Sequence, residues 1–270
     1  MSSEVPDEPR RAAILKAHDQ LLNRAAAFLQ GVPITVEGKP GQIVVFAVVA
    51  RVIQIGCALQ ELLERGYGGE AYPLARSMLT GMVHVVALVD GDTDGRALQF
   101  MTDAEKYQLQ LIERAERYEI WNSEKAQAER EGVVESYRAF LERFAKQGVV
   151  PSKIKPEGTR TWHGLNSERA LFEAMGMKHI YELDYAWLSD ETHVNIGAVT
   201  GELMDALDGH TGFGPKGELP HEILFASSYS IPEVLVQLSN LLGLNRRDEV
   251  VAMQKEFRDA LREAYKPDAG

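Results

Sequence analysis

Tyr181, Tyr185, Ser189 and His193 follow one another at four-residue steps. Each residue of a helix advances about 100°, so these four form one slowly drifting band of two phenols, a hydroxyl and an imidazole. An imidazole placed there can take or give a proton near neutral pH, with Ser189 or Tyr185 positioning its ring or a substrate. The same groups can also hydrogen-bond one another and the adjacent backbone as a buried polar seam, because one helix lacks the further partners that catalysis needs.

A source of such partners is the stretch "LARSMLTGMVH", in which Arg76, Thr80 and His84 repeat the four-residue step amid Leu79, Met82 and Val83. An arginine on so apolar a helix keeps its charge and is costly to bury alone. It should face a carboxylate, with Asp184 and Asp190 as candidates, a helix C-terminus or a bound anion. His193, Arg76, Tyr185 and Ser189 are therefore the candidate catalytic residues, and Trp162, Tyr181 and His84 the candidate ligand contacts. No metal is expected: Asp190 and His193 could supply two ligands, but there is no His-Glu-x-x-His and no cysteine cluster. No cofactor is expected either, since "GHTGFGPKGELP" has no Gly-Lys-Ser/Thr opening a helix after it.

Apolar residues three and four apart predict a succession of long helices that must position these groups. They cover Glu8 to Leu29, Gln42 to Arg65, Glu70 to Val89, Arg96 to Trp121, a charged segment from Ser123 to Gly148, a short helix from Ser167 to Gly176, Lys178 to Asp190, Asn195 to Asp208, Glu222 to Leu242 and Arg246 to Tyr265. A turn is predicted at Gly38 to Gly41, and Pro232 should bend the helix that contains it. Residues 149–165 hold two prolines, several lysines and no periodicity, which predicts a long loop. Lys146, Lys153, Lys155 and Arg160 around that loop would edge a cleft with Trp162. No segment alternates as a strand does. The reading is one all-α domain over 1–270, a multi-helix bundle with 96–147 as a projecting helical hairpin and 209–220 as a flexible loop.

The chain has 270 residues, 45% hydrophobic and 26% charged, which suits a soluble globular protein. Its formal net charge of −11 disfavours a general nucleic-acid coat, so RNA is a candidate partner that the charge does not support. "MSSEVPDEPRRAA" lacks the basic start and apolar run of a secretion signal, and the expected location is cytoplasmic. "GQIVVFAVVARVIQIGCALQ" approaches the length of a membrane span but carries Arg51 near its centre, so a buried helix with no membrane is expected. The single cysteine, Cys57, is expected to be a small core residue rather than a nucleophile. A homodimer or another protein partner is compatible with an exposed hairpin.

The Arg76 and His193 stretches, with "TWHGLN" at Thr161 to Asn166, resemble the bacterial domain-of-unknown-function family 5677. Its members carry an arginine in Leu-x-Arg-Ser-x-Leu, a Trp-x-Gly turn and a Tyr-x-x-Leu-Ser-x-x-x-His helix. Here these are Leu74, Arg76, Ser77 and Leu79; Trp162 and Gly164; and Tyr185, Leu188, Ser189 and His193. The resemblance spans roughly Ala47 to Leu207 and implies an all-helical fold with no established activity. The family often has a glutamate four residues after the arginine. This chain has Thr80, so chemistry needing a carboxylate there does not carry over.

More distantly, the chain is similar to HEPN-type helical nucleases, whose Arg-x(4-6)-His motif cleaves RNA without metal. Here Ser189 to Thr192 precede His193 with no local arginine, and Arg76 from another helix would have to stabilise the charge building on phosphorus. Three functions follow as expectations. The first is a sensor or interaction module in stress or phage defence, in which the same residues only hold the fold. The others are a metal-independent phosphodiesterase using His193 and Arg76, and a small-molecule binder or hydrolase with a helical cleft.

Overall fold

A computed structural model describes residues 8–33, 39–146, 148, 162–185, 188 and 219–265. Among them the chain forms nine α-helices and no strand: α1 (Glu8–Gln30), α2 (Pro40–Glu64), α3 (Tyr72–Val89), α4 (Thr93–Arg117), α5 (Ser123–Lys146), α6 (Glu168–Ala174), α7 (Lys178–Ile180), α8 (His221–Leu241) and α9 (Arg247–Ala264). A 3₁₀ turn over Gly69–Ala71 leads into α3, and a π-helical turn over Tyr181–Tyr185 follows α7. The predicted helix at 195–208 and the glycine-rich loop up to residue 218 lie outside the described residues.

The chain divides into two compact units. One comprises Met1–Pro33, Ala47–Val86 and Phe172–Gly270; the other comprises Ile34–Phe46 and Ala87–Leu171.

In the first unit α1 buries Ile14, His18, Leu21, Leu22, Ala25 and Phe28, the spacing of a single amphipathic face. It packs against α9, which packs in turn on α8. Helix α8 is buried on most of its surface, Ser227, Ser228, Ser230 and Ser239 included. Pro232 inside it has no N–H, so the Ser228 carbonyl one turn earlier loses its usual donor. Gln254 of α9 supplies the replacement, its Nε2 donating to that carbonyl at 3.0 Å.

Helices α2 and α3 are long and apolar enough by composition to cross a membrane, an 18-residue window reaching a mean hydropathy of 2.1 within Pro40–Glu64 and 1.3 within Gly69–Val89. Glycines let these helices approach their neighbours. A Cβ on Gly56 would lie 2.7 Å from Leu22 Cδ2 of α1, and one on Gly81 would strike Val52 Cγ2 of α2. Not all of α2 is core, however. Arg51, Gln54 and Cys57 line an exposed face, so the expectation of a buried Cys57 is corrected. Its thiol is nonetheless held above its ordinary pKa, first by partial desolvation and then by the charge of Asp19, which keeps it protonated at neutral pH.

Helix ends are closed by two devices. Arginines reach across to the last carbonyls of α1, α2 and α3: Arg246 to Phe28 O at 3.2 Å, Arg11 to Leu63 O at 2.6 Å, and Arg96 to Ala87 O at 2.5 Å. Each satisfies an acceptor that the helix itself cannot, and places positive charge at the negative end of the dipole. Left-handed residues provide the second device. Gly66, Gly176 and Gly243 sit at φ 82°, 73° and 63° after α2, α6 and α8, and in each case the next N–H bonds back to the carbonyl five residues earlier.

In the second unit α4 and α5 pair as a hairpin. Asp92 caps α4 by accepting from Gly95 N at 3.0 Å, which starts the helix three residues before the predicted Arg96. Asn122 caps α5 through Lys125 N at 2.8 Å. The predicted turn at Gly38 to Gly41 is cut short because Pro40 already opens α2, its fixed φ suiting a first helical residue, and Asp94 accepts from Gly41 N at 2.8 Å.

Candidate functional site

Arg76, Tyr181 and Tyr185 come together within the first unit. Ser167 caps α6 through Ala170 N at 3.2 Å, and Gly176 ends that short helix, turning the chain into α7. The predicted continuous α-helix from Lys178 to Asp190 does not form as such. After Ile180 the chain widens into the π turn of Tyr181–Tyr185, an irregularity often found where function or close packing re-aims side chains. Ser189 and His193 lie outside the described residues.

Within the turn the rings of Tyr181 and Tyr185 stack at 4.9 Å and 19°. Phe172 of α6 lies against both, at 5.6 and 5.3 Å. Arg76 of α3 covers Tyr185 from another direction, its guanidinium 5.0 Å from the ring centroid and its Nη2 donating to the phenolic oxygen at 3.2 Å. Tyr185 is only 6% exposed. Among the described residues this phenol, rather than Asp184, is the hydrogen-bond partner of Arg76. Cation–π attraction plus one hydrogen bond suits a half-buried guanidinium, whose planar face tolerates desolvation better than an ammonium would.

The other nominated residues are placed separately. His84 is half-buried on α3, eight residues and thus ~12 Å along the axis from Arg76. Trp162 belongs to the second unit, where its buried ring meets Phe100 of α4 edge-on at 5.2 Å and His163 at 5.5 Å.

Two further groups of titratable residues stand out, one of them around Asp184, a carboxylate that the sequence offered to Arg76. Asp184 is half-buried, and its carboxyl is pushed above the usual carboxylate range, chiefly by burial and further by the charge of Glu222, with His179 opposing. Glu222 also helps hold the Tyr265 phenol up to about 12, after burial as the first cause, while that hydroxyl donates to Leu219 O at 3.2 Å. A carboxyl so placed holds its proton to a higher pH than a free aspartate does. The available signal was weak: an aspartate beside Tyr185 and an acidic first turn in α8.

The second group is in the core of the first unit. His18 is fully buried, and its Nδ1 lies 2.6 Å from Gln60 Oε1. Gln60 Nε2 donates to Leu15 O at 3.2 Å and to Glu64 at 2.6 Å, which leaves Oε1 to accept and makes Nδ1 the protonated nitrogen. Nε2 has no partner. Burial first, against the opposing Gln60 hydrogen bond and the charges of Asp19 and Glu64, lowers the imidazole to about 4, so it is neutral at pH 7. Among the described residues no three His, Cys, Asp or Glu side chains are arranged to hold a metal.

The order of Arg76, the Trp162 turn and the Tyr185 helix is matched by a family model, the family of unknown function DUF5677, over residues 42–211. The chain belongs to this family. The match takes in the arginine of α3, the α4–α5 hairpin, the Trp162 turn and the π turn, so the family's extent includes parts of both units. No curated protein and no solved structure matches the chain. Membership carries the all-helical fold but no activity.

Proposed function

We propose that this DUF5677 protein works as a helical interaction module that docks another protein through the α4–α5 hairpin. One observation carries the reading: the outer side of the hairpin presents Tyr107, Tyr118 and Ile120 at 59, 70 and 72% exposure, with Leu111 and Val134 also exposed. Along α5 only Ala126 and Phe144 are buried, and along the C-terminal half of α4 only Ile112. Two helices sharing one seam bury little, and aromatic side chains left in water on a regular face mark an association surface. The tip adds a detail. Glu119 occupies φ 56° where the other helix ends of this kind use glycine, with Ile120 N bonded to Ala115 O at 2.9 Å. A non-glycine residue there costs ~1–2 kcal/mol, and the turn holds Tyr118 and Ile120 outward.

The test is the size of the tagged full-length protein in an extract of its own cells, by size-exclusion chromatography. The wild type should elute well above 30.0 kDa and a Tyr118→Lys, Ile120→Lys variant as the free chain. Elution of both at the monomer position would reject the module.

Arg76 favours a second reading. Its cation faces a phenol instead of a carboxylate among the described residues, an arrangement that leaves charge for a phosphodiester. RNA cleavage that persists in EDTA and disappears in His193→Ala and Arg76→Gln would support that reading over the first.

A further inference from the structure

We propose that the occupant of the hairpin's outer face is a second copy of this chain, paired antiparallel through α4. This rests on the interaction-module reading and names its partner. Ala104, Tyr107, Leu111, Arg114 and Tyr118 follow at alternating steps of three and four residues, which averages 3.5 and is the repeat of a helix-on-helix seam. The partner should therefore be a helix. This seam lies about half a turn round α4 from the one that meets α5. The inner seam is marked by Ile112, by Thr102 and Tyr137 joined at 2.7 Å, and by Arg130 bonded to Glu116 at 3.1 Å.

Charge and size select a second α4, and select its direction. With Tyr107 layered on the partner's Leu111, two-fold symmetry sets Ala104 against the partner's Arg114, small beside large. The flanking positions then pair Asp103 with the partner's Arg117 twice and Gln110 with the partner's Gln110 on the axis. The Asp103 carboxylate can accept from more than one donor, so its contacts within the chain do not exclude the partner's arginine. A parallel pairing would instead set Arg114 on the partner's Arg114 and leave Asp103 facing an uncharged glutamine.

The area is sufficient. Tyr107, Leu111 and Tyr118 at their observed exposures offer roughly 300–400 Å² per copy, close to half of the ~800 Å² that a stable interface takes from each partner. The aliphatic stems of Arg114 and Arg117, on and beside the seam, can cover much of the remainder.

Sedimentation equilibrium of the purified full-length chain, together with cysteine cross-linking in a Cys57→Ser background, tests this pairing. A dimer is expected. Leu111→Glu should abolish it without changing the melting temperature of the monomer, since Leu111 is exposed. Arg117→Asp should weaken it roughly tenfold, and adding Asp103→Arg should restore it. Gln110→Cys alone should form a disulfide-linked dimer. Arg117→Cys should cross-link only when mixed with Asp103→Cys. A monomer at the highest soluble concentration, or a dimer indifferent to Leu111→Glu, overturns the pairing. If the purified chain is monomeric while the extract still shows a large species lost in the Tyr118→Lys, Ile120→Lys variant, the module stands and its partner is a different protein.

Discussion

The seam around Tyr185 and the outer face of α4 are made of the same materials, tyrosines and an arginine spaced along helices, yet the chain treats them oppositely. Around Tyr185 every ring is covered: Tyr181 stacks on it, Phe172 tilts against it, and Arg76 lies over it while bonding its hydroxyl. On α4, Tyr107 and Tyr118 stand in solvent with Arg114 between them. The contrast shows that aromatic and cationic residues at helical spacing do not by themselves mark a reaction site. Where the fold supplies neighbours they become structure, and where it leaves them bare they are available to a partner.

The comparison breaks if the two regions respond alike to truncation. Phe172→Ala should have the largest effect, lowering stability by ~3–5 kcal/mol in a denaturant melt, because it empties a fully buried site beneath both tyrosines. A loss under ~1 kcal/mol would mean that the seam is loose.

Acid should come next, through the core of the first unit. His18 titrates near its ordinary 6.5 when unfolded and at about 4 when folded. The unfolded chain thus binds the extra proton first as pH falls. The stability contribution is intact above pH 6.5 and is lost progressively down to pH 4, by ~3 kcal/mol in all. His18→Phe should flatten this pH dependence, as read from melts across the interval, even though it leaves Gln60 Oε1 without its donor.

Arg76→Gln should cost ~1 kcal/mol, and Tyr185→Phe about as much, since one removes the cation over the ring and the other only the hydroxyl. If Arg76→Gln leaves the melting temperature unmoved and abolishes binding of an anionic ligand, the seam is a binding site instead. The hairpin should respond least. Tyr118→Ser is expected to stay within ~0.5 kcal/mol for the monomer. Glu119→Gly should stabilise the tip by ~1 kcal/mol or less, relieving the left-handed strain at some cost in unfolded-chain entropy. A large loss in either variant would mean that the tip is part of the core.

Much of the fold was legible because long amphipathic helices announce themselves over many turns. The ends of α1, α8 and α9 fall within a residue of their predicted places and those of α5 within two, since Asn122, Gly243 and the last apolar residue of each stripe are local signals. The start of α4 was missed because "DGDTDG" reads as a turn until Asp92 is seen capping it. The π turn was not legible, for the four-residue step of Tyr181 and Tyr185 is the same whether the backbone closes at i+4 or widens. Cys57 was misplaced because its neighbours are apolar on all sides in sequence, whereas α2 keeps one face in water.

The sequence by itself determined that this chain is helical, where most helices run, and which residues carry the signature of its family, because those properties depend on local periodicity, capping and order along the chain. Only the tertiary structure decided that Arg76 covers Tyr185, that Gln60 selects the tautomer of His18, and that the outer face of α4 remains open. Each of these depends on residues dozens of positions apart meeting or failing to meet, and no spacing within one helix encodes which of its faces a distant helix will cover.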